Sequence, residues 1–173
     1  TAADRIYRLL DNKDFITNKE GSKEFIIGKA NVSLKNLSFK YSDGTQALKN
    51  INAHIEGGTK VALVGPSGGG KSTFINLIPR FYDPQQGYIE IDSQNIKDVT
   101  IQSLRKHMAM VSQDVILFDD TVKANIAYGN IEATDEDILE ASKQANCHEF
   151  IEELQNKYET PIGENGVKLS GGQ

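Results

Sequence analysis

The stretch of sequence that decides the fold runs from residue 65 to residue 72 and reads Gly65-Pro66-Ser67-Gly68-Gly69-Gly70-Lys71-Ser72. It matches every fixed position of the pattern G-x-x-x-x-G-K-[ST]. Glycines allow backbone N–H groups to close around an anion, because no Cβ atom stands in the way. The apolar run Val61–Val64 precedes the stretch and an apolar-periodic run follows it. The pattern therefore predicts a phosphate-binding turn between a buried strand and the positive end of a helix dipole.

The polar residues of this loop have separate predicted tasks. Lys71 can place a positive charge on the β- and γ-phosphates of a nucleotide, and the Ser72 hydroxyl can bind Mg²⁺. The alternative is a glycine-rich turn that matches by accident, which has a frequency on the order of one in ten thousand per position. Because the loop also lies between a strand pattern and a helix pattern, we expect nucleotide binding by the residues from Gly65 to Thr73.

The remaining chain shows strand patterns first and helix patterns later. Alternating or compact apolar runs predict strands over residues 32–41 (with a bulge near Asn36), 52–55, 60–64, 88–91 and 108–111. Helical periodicity predicts helices over residues 1–11, from the loop to Pro79, and over 122–127, 135–144 and 147–154. Residues 12–27 are polar and predict a linker. This order indicates an α/β core with a helical subdomain.

The composition excludes several classes of protein. The net charge of −5 argues against a nucleic-acid binder, which usually carries a basic face. No apolar run in the sequence approaches the roughly 18 residues of a membrane span. The single cysteine, Cys147, rules out an internal disulfide framework. With 38% hydrophobic and 25% charged residues, the composition is that of an ordinary globular domain.

The last five residues read Leu169-Ser170-Gly171-Gly172-Gln173 and resemble the signature sequence of ABC ATPases. Ser170 lies 99 positions after Lys71, and other family-like segments lie between them in the family's order. The segments 80–84 and 165–173 are most similar to bacterial ABC exporters that have the membrane domain fused in front. Within these, they look most like the lipid A flippase type. One departure is Ser93, where the family commonly has glycine, which should affect only the local turn.

The resemblance implies roles for further residues. Tyr41 is similar to the aromatic residue that stacks on adenine, although an ordinary sheet aromatic remains an alternative. Gln113 resembles the glutamine that touches Mg²⁺ and the attacking water, the alternative being a surface glutamine. The segment 163–166 looks like the exporter loop that meets the membrane domain, or a plain Asn-Gly turn. The signature residues would contact ATP held by a second subunit; they are Ser170, Gly171, Gly172 and Gln173.

The resemblance also implies a fold and a domain organisation. It covers residues 28–173 and implies a P-loop NTPase (RecA-like) core over about 28–111, with an antiparallel β subdomain, and an α-helical subdomain over about 112–173. Residues 1–27 resemble the end of a membrane-domain helix and its linker. Nothing in the sequence resembles the Walker B strand or the H-loop histidine. We therefore expect an incomplete ATPase domain that does not hydrolyse ATP alone and leaves Val61 and Leu63 partly uncovered.

The implied function is ATP hydrolysis coupled to the export of a lipid or other amphipathic substrate. The implied ligands are ATP and Mg²⁺, and the implied partners are a transmembrane domain and a second ATP-binding domain, as in a homodimer. The implied location is the cytoplasmic face of the plasma (inner) membrane. Two alternatives stay open, a non-transport ABC ATPase and a nucleotide-binding module without activity of its own.

Overall fold

The computed structural model describes residues 3, 4, 7, 15–112 and 116–163. The chain divides into two compact units, Thr1–Met110 and Val111–Gln173. Ala3, Asp4 and Tyr7 are helical, as the pattern over residues 1–11 predicts. The apolar residues behind that prediction lie outside the described residues. In the described part of the chain, no helix combines the length and the apolar character that crossing a membrane requires.

The first unit contains a four-stranded antiparallel sheet in the order β2-β1-β3-β4. The strands are β1 (Val32–Lys40), β2 (Gln46–Ile55), β3 (Gln86–Ile91) and β4 (Gln94–Asn95). The β1–β2 register shifts between Leu34 and Leu37, and Asn36 between them has a left-handed φ of 49°. The predicted bulge is therefore confirmed. Ser93, in the turn after β3, has a φ of 63°, in the region that favours glycine.

Residues 15–110 of the first unit also form two short helices, α1 (Lys71–Leu77) and α2 (Ile101–Arg105). The helix α1 follows the glycine-rich loop and ends before Pro79, as predicted. Its buried residues Phe74 and Leu77 join the apolar residues of β1 in one core cluster. Burial of this apolar face against the sheet fixes the position of the helix that follows the loop.

Two predicted strands are wrong. Residues 60–64 and 108–111 have no strand assignment, and none of the described strands pairs with either segment. A strand is stable only when its backbone N–H and C=O groups bond to a neighbouring strand, and an apolar run does not reveal whether that neighbour exists. Val61 and Leu63 are 57% and 38% exposed, which agrees with the expectation that they are partly uncovered.

Residues 17–27, which belong to the segment predicted as a linker, pack against the rest of the first unit. We call them the docked segment. The Phe25 side chain is buried, and its N–H donates to the Ser103 hydroxyl at 2.8 Å. Lys23 forms a parallel bridge with Val99. The side-chain amide oxygen Oδ1 of Asn18 accepts the N–H of Ile101 at 2.8 Å. The docked segment is therefore bound to the domain by backbone and side-chain hydrogen bonds, which its polar composition did not reveal.

The second unit contains three helices and one 3₁₀ turn in its described residues. They are α3 (Val122–Ala127), α4 (Asp135–Gln144), α5 (His148–Glu152) and the turn Lys157–Glu159. All three predicted helices are confirmed, although α5 is shorter than its pattern. Apolar residues of α3, of α5 and of the segments beside them pack around Val122, Ile151 and Ile162. The acidic residues Asp135, Glu136 and Asp137 occupy the first turn of α4, where the helix dipole favours negative charge.

Candidate nucleotide-binding site

The glycine-rich loop uses two glycines in the left-handed region. Gly68 has a φ of 76° and Gly70 a φ of 81°. A Cβ atom on Gly70 would lie 2.5 Å from the Ala47 carbonyl oxygen and 2.9 Å from a Leu48 methyl. A Cβ atom on Gly68 would meet nothing within 4 Å. The left-handed φ favours glycine at both positions. Position 70 also requires glycine because of its close approach to β2, whereas Gly68 faces open space.

Lys71 folds back on the loop that precedes it. Its ammonium donates to the carbonyl oxygens of Gly65 at 2.9 Å and Pro66 at 2.7 Å. An ammonium has three N–H donors, so one remains for another acceptor. Among the described residues, no carboxylate lies within ion-pair distance of Lys71. The loop backbone therefore holds a positive charge that no described acidic residue neutralises, which is the arrangement that an anion needs.

The two hydroxyl residues after Lys71 differ in exposure. Ser72 is exposed, and its hydroxyl can reach a ligand in solvent. Thr73 is buried, with 5% of its surface exposed. The N–H of Phe74 donates to the Gly70 carbonyl at 2.8 Å, which closes the first helical turn around both residues.

Tyr41 lies beside this helix although it follows β1. Its hydroxyl is 2.8 Å from the hydroxyl of Thr73. Its ring packs nearly perpendicular to Phe39, at 4.9 Å between centroids, and to Tyr82, at 5.6 Å. Tyr41 also lines an open pocket of about 500 Å³. The fold therefore brings the predicted base-stacking residue to the predicted phosphate loop.

A clamp of charged residues at the far end of α1 was missed by sequence reasoning. The buried Arg80 side chain donates to the carboxylate of Asp83 and to the Thr17 carbonyl of the docked segment. Arg105 donates to the carbonyl oxygens of Pro79 and Arg80 at 2.8 and 2.7 Å. Burial, followed by the nearby Arg80 charge, lowers the pKa of the Arg105 guanidinium. The spacing of Arg80 and Asp83 was visible in the sequence but gave no hint of these distant backbone partners.

Several predicted site residues lie outside the described residues. They are Gln113, the part of the exporter-type loop at residues 164–166, and the signature residues Ser170, Gly171, Gly172 and Gln173. Their roles stay predictions. In the described part of the chain, no group of three or more His, Cys, Asp or Glu side chains is arranged to hold a metal ion.

Known proteins resemble the chain closely. The ABC transporter family model matches residues 48–173. The chain is 52% identical over 169 residues to a candidate multidrug export ATP-binding/permease protein of Staphylococcus aureus, covering 97% of this chain and 29% of that protein. A relative with the same description, from a bovine strain of that species, is 50% identical over 169 residues with the same coverage.

One solved structure is also similar to this chain. It is described as a bacterial Atm1-family ABC exporter with ATP bound, and it matches with a TM-score of 0.93 and 39% identity over 98% of this chain and 30% of that one. The chain thus spans less than a third of the length of the relatives that it matches. None of these three names specifies lipid A, so the similarity to the lipid A flippase type stays a prediction. Because the family model matches well over half of the sequence, this chain belongs to the ABC transporter family.

Proposed function

We propose that this chain binds ATP with Mg²⁺ and forms part of the ATP-hydrolysing domain of an exporter that couples hydrolysis to transport across a membrane. The observation that carries the proposal is the Lys71 ammonium, held by two loop carbonyls with no described carboxylate to neutralise it. The hydroxyl contact of Tyr41 with α1 adds an aromatic ring at the same site. These features suit the triphosphate and the base of one nucleotide.

The loop residues Gly65 to Thr73 bind the phosphates in this proposal. Backbone N–H groups of the loop donate to phosphate oxygens, which side chains at the glycine positions would obstruct. The third N–H of Lys71 is directed at the β- and γ-phosphates. Tyr41 stacks on the adenine, a contact worth about 1–3 kcal/mol for one base on an aromatic ring.

The exposed Ser72 hydroxyl fits the needs of Mg²⁺ at this site. Mg²⁺ usually keeps several waters and takes few protein ligands when it binds together with nucleotide phosphates. The Ser72 hydroxyl can therefore serve as one of these few protein ligands. The metal supplies neutralisation of phosphate charge. Gln113 is proposed as a second ligand that also orients the attacking water.

The export role rests on the names of the relatives, which combine an ATP-binding and a permease function. We assign residues 1–27 to the end of a membrane-domain helix and its linker. Residues 28–173 are assigned to the ATPase domain, with a core over about 28–111 and a helical subdomain over about 112–173. This chain then lies at the cytoplasmic face of the plasma (inner) membrane. The multidrug description of the relatives favours an amphipathic substrate over a strictly polar one.

A second copy of the domain completes the site in this proposal. The signature residues Ser170, Gly171, Gly172 and Gln173 then contact ATP bound by the partner subunit, so ATP favours the closed dimer by its differential affinity for that state. The test uses the full-length protein with its general-base glutamate replaced, so that ATP is held. Ser170→Arg should prevent ATP-driven dimerisation while largely sparing ATP binding to the separate domain. Normal ATP-driven dimerisation of the substituted domain in sedimentation experiments would contradict the trans role.

Lys71→Ala tests the assignment of the nucleotide site. A charge-assisted contact contributes about 1.5–3 kcal/mol, so ATP affinity measured by calorimetry on the full-length protein should fall roughly tenfold to a hundredfold. The control is Lys49→Ala, which removes an exposed lysine of β2 and should leave the affinity unchanged. Equal ATP affinities for Lys71→Ala and the unchanged protein would refute the assignment.

A further inference from the structure

The hydrogen bond between Tyr41 and Thr73 joins two segments that are 32 residues apart in the chain. Tyr41 follows the end of β1 and Thr73 belongs to the first turn of α1. Thr73 is almost fully buried, so its hydroxyl has few alternatives to a partner within the protein. The bond thus connects the aromatic ring to the helix that carries Lys71 and Ser72.

Base stacking does not require this hydroxyl. A phenylalanine would present the same ring face to a base, and its contacts with Phe39 and Tyr82 would be equally apolar. A half-buried phenolic hydroxyl costs free energy unless it is bonded. Packing and base stacking therefore do not account for the presence of a hydroxyl group at position 41.

The chemistry of hydroxyl groups allows the bond to persist when a ligand is present. Each hydroxyl has one donor and two acceptor positions, so Thr73 can stay bonded to Tyr41 and still contact a phosphate oxygen. The bond then keeps the ring at a fixed distance and angle from the phosphate loop. A ligand that uses both the ring and the loop gains from this arrangement, because it does not lose affinity in ordering the ring.

We propose that the Tyr41 hydroxyl is a positioning group, which acts through Thr73 to hold the base platform in register with the phosphate loop. This inference rests on the proposed nucleotide-binding function and adds to the stacking role of the ring. It increases the selectivity that stacking already gives the site. The bond strengthens the binding of a nucleoside triphosphate, which spans ring and loop, and leaves inorganic triphosphate, which occupies the loop alone, little affected.

The test compares ATP with inorganic triphosphate on the full-length protein by calorimetry. Tyr41→Phe keeps the ring and removes one neutral hydrogen bond, so its ATP affinity should fall about threefold to tenfold. Its triphosphate affinity should change much less, so the ratio of the two affinities falls. A merely structural effect of the substitution would lower both affinities together and leave the ratio unchanged.

Two further variants examine the partner. Thr73→Ser keeps a hydroxyl and should retain the ratio of the unchanged protein. Tyr41→Phe introduced into Thr73→Val should cost no additional ATP affinity, because the bond is already lost. As a control, Tyr88→Phe removes a tyrosine hydroxyl from β3 of the same sheet and should not change the ratio.

The outcomes separate this inference from the proposed function. An unchanged ratio in Tyr41→Phe, or a full additional loss in the Thr73→Val background, overturns the positioning role while ATP binding by the loop stands. If neither ATP nor triphosphate affinity responds to Lys71→Ala, the nucleotide site itself is wrong and the inference fails with it.

Discussion

The guanidinium of Arg80 and the carboxylate of Asp83 form a two-point ion pair, with Nε–Oδ1 at 2.9 Å and Nη2–Oδ2 at 3.1 Å. The Arg80 side chain is 3% exposed and that of Asp83 is 33% exposed. A buried guanidinium is tolerated only when an acceptor offsets the loss of its hydration. The pair therefore stabilises the chain reversal after α1, where Arg80 has a left-handed φ of 54°.

Asp83→Ala should lower the free energy of unfolding by about 2 kcal/mol, because it leaves the Arg80 charge buried without a carboxylate. The value lies below the range for fully buried pairs since solvent screens the exposed third of Asp83. Urea unfolding followed by circular dichroism measures it. Asp98→Ala removes an exposed pair with Lys19 and should cost under about 1 kcal/mol. Equal losses of unfolding free energy in the two variants would mean that the burial of Arg80 does not increase the cost of removing its carboxylate partner.

Sequence patterns predicted the structure where it depends on a few consecutive residues. The loop at residues 65–72, the bulge at Asn36 and the helix α4 follow from residue types and their spacing, because each depends on a few consecutive residues. The docked segment and the clamp at Arg80 could not be predicted. Some of their hydrogen bonds join a side chain to a backbone atom that lies 63 or 78 residues away in the chain, from the Arg80 guanidinium to the Thr17 carbonyl and from the Phe25 N–H to the Ser103 hydroxyl.

Only the local part of the candidate site could be predicted from the sequence. The glycines and Lys71 are local, whereas the contact of Tyr41 with Thr73 depends on how β1 packs against α1. The strand over residues 60–64 failed because its apolar residues reported a tendency to be buried and carried no information on a pairing partner. A pattern in one segment cannot reveal which other segment lies beside it.

Acid should weaken the first unit through Asp92. This carboxylate accepts the backbone N–H groups of Asn31, Gly28 and Ala30, and these bonds, led by that from Asn31, hold its pKa below the ordinary value of 3.8. Because the folded-state pKa is the lower one, the stabilisation is present above about pH 4 and is lost as the pH falls through the folded-state pKa.

Asp92→Asn removes this titration. Urea unfolding measured from about pH 6 to about pH 3 should therefore show a smaller loss of stability for Asp92→Asn than for the unchanged protein. The difference between the two proteins isolates Asp92, since other carboxylates with lowered pKa values, such as Asp43, are common to both. Parallel pH profiles would exclude a role for the Asp92 charge.

The start of α4 offers a prediction for the second unit. The Thr134 hydroxyl accepts the N–H of Asp137, and the Asp137 carboxylate accepts the N–H of Thr134 in return. The backbone and side-chain bonds from Thr134 lower the pKa of Asp137. Thr134→Ala should cost about 1 kcal/mol in the unfolding of this unit, whereas Thr134→Ser should cost much less because it keeps the acceptor. Thermal unfolding of both variants distinguishes a lost cap from a lost methyl contact.

Gly70 and Gly68 form a matched pair for testing the shape of the phosphate loop. Both have a left-handed φ, so alanine at either position costs about 1–2 kcal/mol in backbone strain. Only Gly70→Ala adds a collision, with the backbone carbonyl of Ala47, which cannot rotate away as a side chain could. We expect Gly70→Ala to lower the free energy of unfolding more than Gly68→Ala and to weaken ATP binding by displacing Lys71. Urea unfolding and calorimetry on both variants provide the comparison, and equal stabilities would show that the loop moves away from β2 without cost.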